Sequence, residues 1–266
     1  MYKKDDDFFM PIPRFLICDE IKYSQNRAGI LFAYCWIGRF GSFDGLFEGK
    51  MIDICQKMGL HYDESKTKVI PKQLKNFIKG MDYLIDLDLL KLEKGDYHDI
   101  FSSFSVSLTQ KKFVKFTPFR IKYFDFILEI KKRTNKSNLL YMLLFILSCY
   151  STRYINNKKQ NDCVCSYSLA YISQKTGISE ISVHNYLSQL SSKINKEESN
   201  TPLLRSERWC LKFNEKIVCF PVIYVENTSN ATQIIKNQRI FIRDSFVKGE
   251  LSESIFLNNS DLDDLF

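Results

Sequence analysis

Apolar positions are unevenly spread along this chain, and their spacing separates buried helices, one-sided helices and strands. Residues 28–37 and 139–150 are apolar at almost every position, the pattern of helices buried on all sides. The second contains the longest apolar stretch, the 11 residues 139–149, broken only by Ser148. A bilayer-spanning helix needs ~20, so this run reads as core. Leu74, Phe77, Ile78 and Met81 recur at steps of three and four behind Pro71, which predicts an amphipathic helix with proline in its first helical position. Val183, Tyr186, Leu187 and Leu190 predict another. Apolar-rich stretches at 89–93 and 101–108, around Lys94-Gly-Asp96, predict a β-hairpin. A second is predicted at 203–212 and 216–225, around Phe213-Asn-Glu215. The polar run 156–162 reads as a loop.

The pattern repeats. Ile54-Cys-Gln-Lys-Met-Gly-Leu60 returns 118 residues later as Ile172-Ser-Gln-Lys-Thr-Gly-Ile178. Upstream, Phe9-Met-Pro-Ile-Pro-Arg-Phe15 is echoed by Phe113-Val-Lys-Phe-Thr-Pro-Phe119, and each precedes one of the two apolar helices. A shared order of extended entry, apolar helix, helix ending in glycine and hairpin points to internal duplication. The expectation is an α+β, predominantly helical chain of two tandem winged helix-turn-helix domains, 1–110 and 111–228. A C-terminal extension, 229–266, follows.

The helix-turn-helix expectation rests on residues 168–190, which resemble that motif in bacterial regulators and replication proteins. Two helices must cross closely, so the small Ser173 suits the contact, and Gly177 suits the left-handed stop between them. Ser179 is placed to cap the next helix. With Val183, Tyr186, Leu187 and Leu190 turned inward, Ile181, Ser182, His184, Asn185, Ser188 and Gln189 face out. In the major groove an amide side chain pairs with adenine, and Ile181 can meet a thymine methyl. Arg205, Arg208, Lys212 and Lys216 lie on or beside the following hairpin, where a wing tracks phosphates. In the first copy Lys72, Lys75, Asn76 and Lys79 face outward, a set better suited to phosphates than to base edges; a protein interface is the other use of such a face.

Charge agrees with a polyanionic partner. The chain carries +7, and because 249–266 holds Glu250, Glu253, Asp261, Asp263 and Asp264 without a Lys or Arg, residues 1–248 carry +12. The acidic start, Asp5-Asp-Asp7, does not read as an export signal, so a cytoplasmic protein is expected. Its eight cysteines are then expected reduced, with Cys35, Cys149 and Cys219 as small core residues. Cys163-Val-Cys165 lacks a second ligand pair, so no metal is expected. Only His61, His98 and His184 are present, none adjacent, and no Gly-x-x-x-x-Gly-Lys loop occurs. Neither a nickase nor an ATPase is expected, and no catalytic residue or cofactor is assigned.

The segment Asp7-Phe-Phe-Met-Pro-Ile-Pro-Arg-Phe15, the helix beginning Ala28-Gly-Ile-Leu-Phe-Ala-Tyr34 and the tandem order resemble plasmid replication initiators of Gram-positive bacteria, in particular the RepA N-terminal family. The likeness covers about forty residues at the start. It implies binding of double-stranded DNA repeats at an origin, as a homodimer, with recruitment of host replication proteins. A transcriptional regulator of a mobile element is the alternative. The tail ends in Leu262, Leu265 and Phe266 among acids, and is expected to dock on a replication protein. Packing on its own domain and self-inhibition of the basic surface remain the other readings of that tail.

Overall fold

The structure is a computed structural model that describes residues 9–18, 24–42, 44–62, 70–109, 115–130, 134–149, 151–155, 158–162, 164–165, 167–191, 202–213 and 216–247. The chain divides into two compact units, 1–144 and 145–266. It is mixed α/β and helix-rich, with small antiparallel sheets. No helix among the described residues is long and apolar enough to cross a membrane.

The first unit opens with β1 (Phe9–Pro13), α1 (Arg14–Ile17) and α2 (Arg27–Phe40), followed by β2 (Leu46–Lys50) and α3 (Met51–Lys57). Next come α4 (Lys72–Asp86), β3 (Leu90–Gly95) and β4 (Ser103–Leu108), then β5 (Phe116–Arg120) and α5 (Ile121–Glu129). The apolar helix α6 (Lys136–Ser148) runs across the division between units. Every residue of α2 from Gly29 to Gly38 is buried, as its unbroken apolar pattern requires. Phe32 and Trp36 of α2 meet Phe77 of α4 and Phe124 of α5 with ring centroids 5.1–6.3 Å apart. Helices α2 and α4 approach backbone to backbone at Gly29 and Gly80, where a Cβ on either would stand under 3.0 Å from the other helix. Arg39 at the end of α2 forks onto Asp125 of α5 through Nε and Nη2 at 2.8 and 2.7 Å, a geometry that fixes one helix against the other.

The second unit holds the hairpin β6 (Ser151–Ile155) and β7 (Lys158–Asp162), then β8 (Val164–Cys165), α7 (Leu169–Thr176) and α8 (Glu180–Ser191). It closes with β9 (Leu204–Phe213), β10 (Lys216–Glu226) and α9 (Ala231–Val247). Its core stacks Trp209 on Phe220 at 4.3 Å, and Ile223, Val225, Ala231, Ile235 and Ile242 surround the pair. The β9–β10 register slips between Phe220 and Ile223, where Pro221 has no N–H to give the ladder.

The order strand, helix, helix, strand, helix, helix, strand, strand occurs twice. Its first pass is β1-α1-α2-β2-α3-α4-β3-β4, and its second is β5-α5-α6-β8-α7-α8-β9-β10 with β6-β7 inserted. The three-stranded sheets also share one order, β2-β4-β3 and β8-β10-β9.

Several expectations change. The boundary expected near 110 lies outside the described residues; the compact units divide after Leu144. The reason is that β5 pairs antiparallel with β1, Met10 opposite Phe119 and Pro11 opposite Pro118, which holds the second entry segment in the first unit. Lys158–Asp162, expected in a loop, is a strand because Ser151–Ile155 offers it a complete antiparallel partner. Pro71 is the N-cap of α4 and not its first helical residue. Cys219 is not a free core thiol: the β9–β10 register sets it opposite Cys210, Cα atoms 4.1 Å apart, and the two form a disulfide. Helix α9 was not anticipated at all.

Candidate nucleic-acid interface

Helix α7 begins at Ser168, whose side chain accepts the Tyr171 N–H at 3.1 Å and so satisfies one of the first-turn donors. It stops at Gly177, which takes φ 70° and ψ 12° and donates its N–H to the Ser173 carbonyl at 2.8 Å. A side chain in that left-handed conformation costs energy, so glycine sets the turn. The next helix starts as Val183 N–H reaches the Ser179 carbonyl at 2.8 Å. Ser179 therefore stands at the cap position, while its hydroxyl donates to Ser182 Oγ at 2.9 Å. Val183, Leu187 and Leu190 are buried, which anchors α8 and turns Ile181, His184, Asn185 and Ser188 to the surface. Tyr186 and Gln189 are half-buried. Ile181 is 77% exposed, the largest value among the exposed apolar side chains.

The predicted residues of this unit do not form one surface. Residues advance about 100° per step on a helix, so α8 has two outward flanks. Ser182, Asn185 and Gln189 lie to one side and His184 and Ser188 to the other, with Ile181 between them. That second flank shares a pocket of about 240 Å³ with Arg208 of β9. Arg205 stands apart, near the β9 end that pairs with Val225, and donates to Thr232 Oγ1 of α9 at 2.6 Å. Lys212 and Lys216 lie at the far end of the hairpin, with side chains outside the described atoms. Leu262, Leu265 and Phe266 lie outside the described residues.

In the first unit, Lys72, Lys75 and Lys79 are exposed along α4, as expected. Asn76 is not their neighbour in exposure: it is half-buried, and its carbonyl accepts Asn26 Nδ2 at 2.9 Å, because this turn of α4 faces the start of α2. The connection from β3 to β4 is longer and more acidic than a three-residue turn. Asp96 accepts the His98 N–H at 2.8 Å, Asp99 accepts the Phe101 N–H at 3.0 Å, and Asp82 receives Tyr97 Oη at 2.7 Å. Asp96 and Asp99 lie in this connection and Asp82 on the third turn of α4, so acids flank the connection from both sides, while Lys72, Lys75 and Lys79 lie on the earlier turns of α4.

Two features escaped the sequence reading. Lys175 of α7 lies 5.5 Å from the Tyr171 ring centroid, and Tyr167 meets Tyr171 in a tilted contact with centroids 4.5 Å apart, an aromatic and cationic corner on α7. Ser191, at the end of α8, has a buried hydroxyl without a hydrogen-bond partner among the described residues. The i, i+4 spacing of Tyr167, Tyr171 and Lys175 was visible in the sequence; the Ser191 environment was not.

Compared with known proteins, the chain matches no family model, and no curated protein or solved structure is significantly similar to it.

Proposed function

We propose that the chain is a sequence-specific double-stranded-DNA-binding protein composed of two winged helix-turn-helix units that arose by duplication, acting in replication initiation at a plasmid or mobile-element origin. The observation that carries the reading is the outer flank of α8. Ile181 is an almost fully exposed branched apolar residue beside exposed Asn185, on a helix entered through a glycine-terminated turn and followed by the β9–β10 hairpin. Solvent offers Ile181 nothing, whereas a major groove offers thymine methyls and adenine edges. The repeated element order supports duplication, and the +7 charge supports a polyanionic ligand.

In this reading α8 enters the groove by its first two turns, the β9–β10 hairpin follows the backbone, and Lys72, Lys75 and Lys79 hold phosphates without reading sequence. The test compares a selected duplex with a random one. Asn185→Ala costs ~1–3 kcal/mol on the selected duplex and little on the random one. Equal losses on both remove the base-reading role. Direct repeats in the selected DNA favour initiation, and a single palindrome favours transcriptional regulation.

A further inference from the structure

The pocket between α7, α8 and the β9–β10 hairpin has a chemistry of its own. Among the described residues it is lined by Arg208, His184, Tyr224 and several serines, and by no carboxylate. Four donors line it from three elements: Arg208 and Ser206 from β9, Ser191 from α8 and Tyr224 from β10. Burial pushes the Tyr224 hydroxyl up to about 12, so it stays a neutral O–H donor at physiological pH. Ser191 Oγ is buried with no hydrogen-bond partner among the described residues, a state that native proteins rarely keep without a ligand or water to meet it. The first turn of α7, capped by Ser168, adds the positive end of a helix to the same wall. A cation, neutral hydroxyls and a helix start, with no competing acid, recognise a phosphoryl oxygen.

Size distinguishes the sources of such a group. At about 240 Å³ the cavity is below the ~300–1,000 Å³ usual for small-molecule sites, and it opens beside the exposed face of α8. We propose that this pocket seats one backbone phosphate of the bound duplex, an inference that rests on the DNA-binding reading above. His184 and Ser188 then belong with Arg208 in positioning α8, and base reading falls to the flank bearing Ile181 and Asn185. The seat lies about a quarter-turn around α8 from Ile181 and Asn185, so one anchored phosphate sets the depth and rotation at which the reading flank meets the base pairs.

The experiment replaces single phosphates of the selected duplex by neutral methylphosphonates and measures affinity of the full chain, wild type and Arg208→Gln. For the wild type, one position per half-site lowers affinity by about tenfold, the loss expected for a charge-assisted hydrogen bond. For Arg208→Gln the same replacement costs under about twofold, and the salt slope falls by about one unit. Ser191→Ala, a smaller change, gives the same loss of sensitivity if Arg208→Gln does not fold. Methylphosphonate effects that are the same in the wild type and both variants at every position overturn the seat while leaving DNA binding intact. If the chain binds no duplex, the DNA reading fails. Inorganic phosphate is then titrated at millimolar concentration, with amide shifts of Ser191 and Arg208 as the readout. Saturable shifts keep the phosphoryl site and assign it to a free anion; no shifts overturn it.

Discussion

Gly80→Ala sets helix propensity against packing. In an exposed helix interior, alanine is better than glycine by about 1 kcal/mol, so propensity alone predicts a more stable protein. The structure predicts the reverse. A Cβ at Gly80 would stand 2.6 Å from the Gly29 carbonyl oxygen, 2.8 Å from its carbon and 2.9 Å from Ile30 Cα, all backbone atoms of α2. No side chain can swing aside, and carbon contacts relax only near ~3.5–4.0 Å, so α2 and α4 must part by roughly 0.5–1 Å. That gap loosens the Phe32, Trp36 and Phe77 cluster beneath them. Overpacking of this kind typically costs about 1–3 kcal/mol, and after the propensity gain we expect a net loss of about 1–2 kcal/mol. The chain has two tryptophans, one in each unit, so urea unfolding followed by fluorescence in a Trp209→Phe background reports Trp36 and the first unit alone. The expected result is a lower midpoint with unchanged slope. A midpoint equal to or above the parent's refutes the close crossing, and with it the placement of Lys72, Lys75 and Lys79 on α4.

Three further outcomes are expected. Lys72→Ala and Lys79→Ala each weaken binding to all duplexes alike and lower the salt slope by about one unit, and an unchanged slope removes α4 from the interface. Reduction of Cys210–Cys219 opens a short cross-link and lowers stability of the second unit by about 2–3 kcal/mol, read as a dithiothreitol-dependent midpoint that Cys210→Ser abolishes. Tyr224 has a folded pKa raised from 10.0 to about 12 by burial, so its contribution is complete below pH 10 and is lost as pH rises towards 12. An ultraviolet titration that finds every tyrosine ionising together near 10 contradicts that burial.

Much of the fold was legible where one physical demand acts on a stretch of sequence. The α4 stripe of Leu74, Phe77, Ile78 and Met81 is buried as its spacing requires, and Gly177 is left-handed where the turn needs it. What the sequence hid depends on partners distant along the chain. Pairing of β1 with β5 follows from tertiary contact and moves the unit boundary past α5. Helix α9 was missed although Ala231, Ile235, Gln238 and Ile242 are buried on one stripe, because Gln238 breaks the apolar pattern by which the stripe is recognised. The division of the α8 face follows from periodicity, but that His184 and Ser188 share a pocket with Arg208 of β9 does not, because it depends on a strand distant along the chain.

Sequence-specific recognition of duplex DNA, as proposed, is decided by selection of bound duplexes from a random pool with the full chain. The expected result is enrichment of a defined motif whose recovery depends on Asn185 and Ile181 and survives Lys72→Ala with weaker overall binding. A pool that remains random after repeated rounds, or a motif unchanged by Asn185→Ala and Ile181→Ala, contradicts it.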